Sequence, residues 1–85
     1  MHITLRLFAS LRETLGVSSD KLTLPDTTRT AGDVVHALRA RGGAWAEALS
    51  DAGAFRVAVD QTMGSLDSPV RDGAELALFP PVTGG

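Results

Sequence analysis

Cysteine is absent from this chain of 85 residues. Without thiols the chain can form no disulfide, cannot bind a metal through thiolates and has no thiol nucleophile. Disulfides are typical of oxidising compartments, so their impossibility here favours a reducing, cytoplasmic location. The N-terminal residues alternate in polarity and include an arginine, which argues against a secretory signal.

Basic runs and long apolar runs are also missing. The formal net charge is −2, and no cluster of Lys and Arg could follow a phosphate backbone. The longest stretch without charged residues or hydroxyls, residues 76–82, contains two prolines and is far shorter than the roughly 20 apolar residues of a membrane span. We therefore expect neither a nucleic acid nor a membrane as a partner.

The composition that remains is that of a small globular domain, since 44% of the residues are apolar. Residues 1–8 alternate, which predicts a strand with Ile3, Leu5 and Leu7 on its buried side. Residues 10–15 fit a short helix closed by a glycine, and residues 21–24 fit a second strand that a proline ends.

One longer helix follows. Thr30 and Asp33 match the signature of a helix start in which the hydroxyl accepts from the backbone of the acid. An apolar stripe at helical spacing runs from there to Leu38 and ends before two glycines. Residues 55–59 and 75–79 then return to strand character. The pattern predicts an α+β fold, with one main helix covering one face of a mixed sheet.

The C-terminal segment consists of two prolines, a valine, a threonine and two glycines: Pro80, Pro81, Val82, Thr83, Gly84 and Gly85. Prolines cannot donate to a sheet ladder and hold the chain extended, while glycines present no side chain. We therefore predict a single domain over residues 1–80 and a slim arm over residues 81–85. A frayed terminus is the alternative for two glycines alone, but the stiff lead-in after a last strand favours a working arm.

Three stretches resemble one family. Residues 8–13 read FASLRE, residues 59–61 read VDQ and residues 72–85 read DGAELALFPPVTGG. Together they are similar to the small, ubiquitin-like sulfur-carrier subunits of molybdopterin synthase, and the last stretch is the most specific. The family usually has asparagine where this chain has Asp60, and a carboxylate cannot donate the hydrogen bond that an amide can.

The resemblance implies a β-grasp fold and a covalent sulfur shuttle. It implies that an adenylating enzyme of the ubiquitin-activating type uses ATP and magnesium to activate the carboxylate of Gly85, which follows Gly84. A persulfide donor then supplies sulfur for a thiocarboxylate, and the large synthase subunit accepts the arm to build the dithiolene of the molybdenum cofactor. This chain would be the non-catalytic subunit of a sulfurtransferase complex with two small and two large subunits, and would bind no cofactor itself.

A docking face is expected beside the arm. Phe8 and Phe79 fall on the polar sides of the first and last strands, which the resemblance places side by side. Clustered exposed aromatic rings are typical of a partner site, and Met63 could extend the patch. Closure of the ends of the core is the alternative for the two rings. Arg12 is the best candidate among the arginines for pairing with acidic groups of a partner.

Other residues carry weaker signals. His2 and His36 lie far apart in sequence without an acidic cluster, which argues against a metal site. Thr83 has no neighbouring base, so a positioning contact is expected rather than a nucleophile. Trp45 is expected to fill the core.

Three other functions remain open. The first is a sulfur carrier for thiazole, cysteine or tRNA thiolation. The second is a protein modifier joined through Gly85 to lysines, and the third is a binding module with an inert tail. The residues do not identify the activating enzyme or the sulfur donor.

Overall fold

The computed structural model describes residues 1–81. Within them lie five strands, three α-helices and one short 3-10 helix. These are β1 His2–Leu7, α1 Ala9–Leu15, β2 Ser19–Thr23, α2 Ala31–Arg39, α3 Gly43–Ala48, the 3-10 helix Ala52–Ala54, β3 Arg56–Val59, β4 Thr62–Met63 and β5 Glu75–Phe79.

The strands form one sheet in the order β2-β1-β5-β3-β4. β1 and β5 are parallel, and the other neighbouring pairs are antiparallel. A parallel pair needs a crossover, which here contains α2. The mixed sheet with its covering helix confirms the α+β, β-grasp prediction.

The core lies between the helices and one face of the sheet. Strand alternation places Ile3, Leu5 and Leu7 of β1 on this inner face, and all three are buried as predicted. Leu76 and Leu78 of β5 pair beside Leu5 and Leu7. Each fully buried aliphatic side chain contributes about 1.5–3 kcal/mol, so these central strands supply much of the stabilisation. The largest side chains buried almost completely are Leu5, Leu7, Leu38, Leu49, Leu76, Leu78, Val34 and Val35.

The predicted start of α2 is confirmed in atomic detail. The amide of Asp33 donates to Oγ1 of Thr30 (3.2 Å), and Oδ2 of Asp33 accepts from the amide of Thr30 (3.1 Å). Two further first-turn amides donate to the connection between β4 and β5: Ala31 to the carbonyl of Ser68 and Gly32 to the carbonyl of Leu66. All of these amides therefore have protein partners, and the helix is tied to the 65–70 segment.

Glycine at position 32 suits this close approach. A Cβ atom at this position would lie 3.0 Å from the carbonyl oxygen of Leu66, which is a tight contact. The amide of Gly32 donates to the same oxygen over 2.8 Å, so relief of that contact by a few tenths of an ångström would lengthen the bond.

Some boundaries differ from the sequence-based expectation. β2 begins at Ser19, two residues before the predicted start, and β4 was not predicted. The turn that joins β3 to β4 places Asp60 and Gln61 at φ 50° and 68°, which is typical of a type I′ hairpin. Such turns usually carry glycine at the second position, where this chain has Gln61, so half of the usual sequence signal is missing.

We expect the charge of Asp33 to stabilise the fold in a pH-dependent way. Hydrogen bonds from the backbone of Arg29, then of Thr30, lower the pKa of Asp33 below its ordinary value of 3.8. As the pH falls, the unfolded chain therefore takes up this proton at a higher pH than the folded chain does. The stabilisation by the Asp33 carboxylate is complete above the unfolded pKa and is lost as the pH falls through the folded pKa. Urea unfolding should show that Asp33→Asn is less stable than the native chain at pH 7 and that the difference shrinks at pH 3.

Thr30→Ala provides the matched control. It removes the hydroxyl acceptor without a titratable group, so it should lower the free energy of unfolding by about 1 kcal/mol. A difference between Asp33→Asn and the native chain that is constant from pH 7 to pH 3 would contradict the charge effect.

Candidate functional site

The described chain ends next to the centre of the sheet. β5 is the central strand, Phe79 is its last residue, and the half-buried Pro80 and Pro81 follow it. The last two thus lie at the root of the predicted arm. The other arm residues with predicted roles lie outside the described residues: Val82, Thr83, Gly84 and Gly85.

The parallel pairing of β1 with β5 brings the two predicted aromatic residues together. Leu7 pairs with Leu78, and the amide of Phe8 donates to the carbonyl of Leu78 over 3.2 Å. Phe8 follows Leu7 and Phe79 follows Leu78. The two aromatic residues therefore lie side by side on the sheet face away from α2. Phe8 is 42% exposed, and Phe79 is half-buried.

Small residues form the floor beside these rings. Ala58 of β3 is directly opposite Ala77 of β5 on the sheet face away from α2, and the two alanines are only 8% and 7% exposed. Met63 pairs with Ala58 on its other side and is 62% exposed. We call Phe8, Phe79, Ala77, Ala58 and Met63 the outer-sheet patch.

Charged side chains border this patch. Arg56 pairs with Phe79 across the β3–β5 ladder, and the guanidinium of Arg6 lies 5.8 Å from the centre of the Phe8 ring. Arg6 also lies 3.6 Å from a carboxylate oxygen of Glu75. Both side chains of this ion pair are partly exposed, so it contributes at most about 1 kcal/mol. An apolar centre with a charged rim is the usual anatomy of a protein interface.

Arg12 lies one helical turn beyond the patch. The amide of Arg12 donates to the carbonyl of Phe8 over 3.4 Å, so the first turn of α1 begins directly after Phe8. Its side chain is exposed, and among residues 1–81 no ion pair holds it. Ala9, between them, has φ 51°, a left-handed conformation that turns the chain from β1 into α1.

Asp60 has a structural role that the sequence did not reveal. Its Oδ1 accepts from the amide of Glu75 over 2.9 Å, and its own amide donates to the carbonyl of Glu75 over 2.9 Å. The side chain acts only as an acceptor, so a carboxylate serves as well as the amide that the family usually has. This reciprocal contact joins the β3–β4 turn to the start of β5. Aspartate's tolerance of positive φ was the one available signal.

The remaining candidates do not converge on this patch. His2 lies in β1 with Nδ1 3.4 Å from the hydroxyl of Thr23, and His36 lies in α2. No group of three His, Cys, Asp or Glu residues that could hold a metal occurs in residues 1–81. Trp45 packs against the core as predicted, with the guanidinium of Arg41 above its ring. None of the helices described here has both the length and the apolar character needed to cross a bilayer.

Comparisons with known proteins agree with this architecture. A model of the ThiS family matches residues 5–85. The chain is 46% identical over 78 residues to the molybdopterin synthase sulfur carrier subunit of Haemophilus influenzae, covering 92% of this chain and 93% of that protein. It is 44% identical to the subunit of the same name from Escherichia coli, with 98% and 99% covered.

A solved structure extends the comparison to three dimensions. The crystal structure of SAMP1 from Haloferax volcanii matches with a TM-score of 0.79 and 31% sequence identity, covering 100% of both chains. SAMP1 is the small archaeal modifier protein 1.

The role of Asp60 can be tested with a pair of substitutions. Asp60→Asn keeps an oxygen acceptor for the amide of Glu75, so its free energy of unfolding should stay within about 0.5 kcal/mol of the native value. Asp60→Ala loses that acceptor and places alanine at positive φ, so it should be destabilised by about 1–2 kcal/mol. Urea unfolding measures both, and equal stability of the two variants would contradict the assignment.

Proposed function

This chain belongs to the ThiS family, and from that premise we propose that it is a sulfur carrier of molybdenum cofactor biosynthesis that holds sulfur as a thiocarboxylate on Gly85. The sequence similarity to two molybdopterin synthase sulfur carrier subunits over more than nine-tenths of each chain supports the pathway. The position of β5 supports the delivery of the C-terminal sulfur to a partner. Because β5, the last strand among residues 1–81, is central, the residues that follow it begin beside the outer-sheet patch.

The chain's own chemistry is consistent with sulfur held at its C-terminus. It has no cysteine, and its two methionine sulfurs are thioethers that cannot be handed on as sulfide. A carboxylate is a poor electrophile, so it must first acquire a better leaving group. We infer that an adenylating enzyme joins the Gly85 carboxylate to AMP from ATP with the help of magnesium, and that pyrophosphate leaves.

Sulfur then enters by acyl substitution. The terminal sulfur of a persulfide attacks the activated carbonyl carbon, a C–S bond forms, and the C–O bond to AMP breaks. A thiol cleaves the resulting acyl disulfide at its S–S bond, so the donor side leaves as a disulfide and the chain keeps a thiocarboxylate. ATP, magnesium and the persulfide all belong to partner enzymes, and this chain contributes the reacting carboxyl group and the surface that positions it.

We propose that the outer-sheet patch binds the adenylating enzyme and the large synthase subunit in turn. Each partner must receive the same terminus, and the patch is the apolar surface nearest to the point where the arm begins. Phe8, Phe79 and Met63 are the anchors of the patch, and Arg12 lies beside it. The arm contacts each partner through Pro80, Pro81, Val82 and Thr83. Its last residues, Gly84 and Gly85, enter the active site. In the synthase this yields a complex of small and large subunits.

A second candidate function is suggested by one comparison. The likeness to SAMP1 favours a protein modifier whose activated C-terminus is captured by a lysine amine of a target protein. Both functions use the same activated carboxyl group. They differ in the nucleophile, which is a persulfide sulfur for a carrier and an amine for a modifier.

Intact mass spectrometry of the chain isolated from its native cells tests the carrier function. Replacement of one carboxylate oxygen by sulfur should add about 16 Da at Gly85. Deletion of Gly85 should abolish this mass shift, while thermal unfolding should stay unchanged because the core lies within residues 1–81. Sulfur on the truncated chain would contradict the proposal, and isopeptide adducts to lysines without any thiocarboxylate would favour the modifier.

The docking role of the patch is tested by placing a charge in it. Phe8→Arg and Phe79→Arg should each weaken binding to the large synthase subunit at least about tenfold, because a charge at an apolar anchor must be desolvated. Glu47→Arg is the matched control, since it adds the same side chain at an exposed site on α3. Titration calorimetry measures binding, and urea unfolding separates docking from folding. Native affinity in both phenylalanine variants would refute the assignment.

A further inference from the structure

β2 is an edge strand with an open row of backbone groups. At the two ends of the β1–β2 ladder, the amide of Leu7 donates to the carbonyl of Ser18 (2.9 Å) and the amide of Leu24 donates to the carbonyl of Met1 (2.8 Å). Hydrogen-bonded pairs alternate with non-bonded pairs in an antiparallel ladder. The residues between these ends that direct their N–H and C=O groups away from β1 are therefore Ser19, Lys21 and Thr23.

These outward groups have no backbone partner in residues 1–81. β2 pairs with β1 alone, and the side chains of Ser19, Lys21 and Thr23 are all exposed. An edge of this kind can accept one further strand, because each outward residue offers one donor and one acceptor at the spacing of a sheet ladder.

A groove of about 300 Å³ runs along this edge between β2 and α2. Its apolar floor is formed by the buried side chains Leu22 and Leu38, and its walls include the partly buried Leu24 and Ala37. A strand added to β2 would direct every second side chain into the groove and the others to solvent. The open backbone and the apolar floor thus match the two requirements of an extended peptide.

Two cations border this groove although the chain as a whole carries a net charge of −2. Arg41 lines the groove, and Lys21, the only lysine of the chain, lies beside it on β2 with its side chain on the strand face opposite to Leu22. Arg41 is held by the Trp45 ring, 4.6 Å from its guanidinium carbon, and by Asp20 at 3.3 Å. Lys21 makes no ion pair with any of the residues described. Two cations against one carboxylate favour an acidic ligand.

We propose that the β2–α2 groove binds an extended acidic segment of a partner protein, which adds to the sheet beside β2. Its backbone would pair with Ser19, Lys21 and Thr23, its apolar side chains would lie against Leu22 and Leu38, and its carboxylates would lie near Lys21. A second copy of this chain fits less well. Antiparallel pairing of two β2 strands centred on Lys21 would place two lysines opposite each other, and like charges in that position are destabilising.

This site is separate from the outer-sheet patch and does not depend on sulfur transfer. The patch lies on the face of β5, β3 and β4, whereas the groove lies at the opposite edge of the sheet against α2. A chain that failed to carry a thiocarboxylate would leave the groove proposal unaffected, and loss of groove binding would leave thiocarboxylate formation intact.

Selection of a random 12-residue peptide library on the full chain tests the proposal, followed by titration of the selected peptides into isotope-labelled protein by NMR. We expect peptides that alternate apolar and polar residues and carry Asp or Glu, with amide shifts concentrated in residues 19–23 and 37–41. Increasing salt should weaken binding because both partners carry charge.

Two variants with one matched control locate the contact. Thr23→Pro removes an outward N–H without touching the ladder to β1, so affinity should fall about tenfold, whereas Thr23→Ser keeps the N–H and should bind like the native chain. Lys21→Glu should also weaken binding, and it tests the proposal even if the proline variant fails to fold. The proposal is overturned if the selection yields no binder or only peptides without acidic residues. It is also overturned by amide shifts confined to Phe8, Phe79 and Met63, or by native affinity in both Thr23→Pro and Lys21→Glu. A dimer of this chain formed through β2 would overturn it as well.

Discussion

The parallel pairing of the first strand with the last determines the architecture of this molecule. The amides of Thr4 and Phe8 donate to the carbonyls of Ala74 and Leu78, so the pairing extends past both ends of the ladder. It places β5 at the centre of the sheet, where its inner face is buried by the helices. Pro80 and Pro81 follow β5, so the same pairing places them at the centre of the sheet.

Two features keep this arrangement in register. The parallel pair requires a crossover, and α2 provides it, with its first turn closed by the Thr30–Asp33 capping box and bonded to the 65–70 segment. At the other end of the crossover, Asp60 hydrogen bonds the first residue of β5. The start of the helix and the start of the last strand are therefore both held by specific polar contacts, while apolar burial supplies the stabilisation.

One sheet thereby offers two different surfaces. Its centre presents side chains, since small alanines between Phe8, Phe79 and Met63 leave an apolar floor with a charged rim. Its β2 edge instead presents backbone groups, with a groove against α2 that Arg41 lines. Under the proposed carrier function, a contact at the edge need not compete with docking at the centre.

The sequence by itself determined the local structure of this protein. Period-two alternation in β1 and β5, the capping signal of Thr30 and Asp33 and the stripe of α2 are short-range properties, and each predicted the observed element. The motif resemblance also indicated the family, which the comparisons confirm, whereas the chemistry at Gly85 stays a prediction. The resemblance placed the first and last strands side by side, but only the tertiary structure decided the register of the sheet, and with that the contact of Asp60 with Glu75, the floor of Ala58 and Ala77, and the open edge of β2. Residues far apart in the chain make these contacts, and no local periodicity encodes the distance between them.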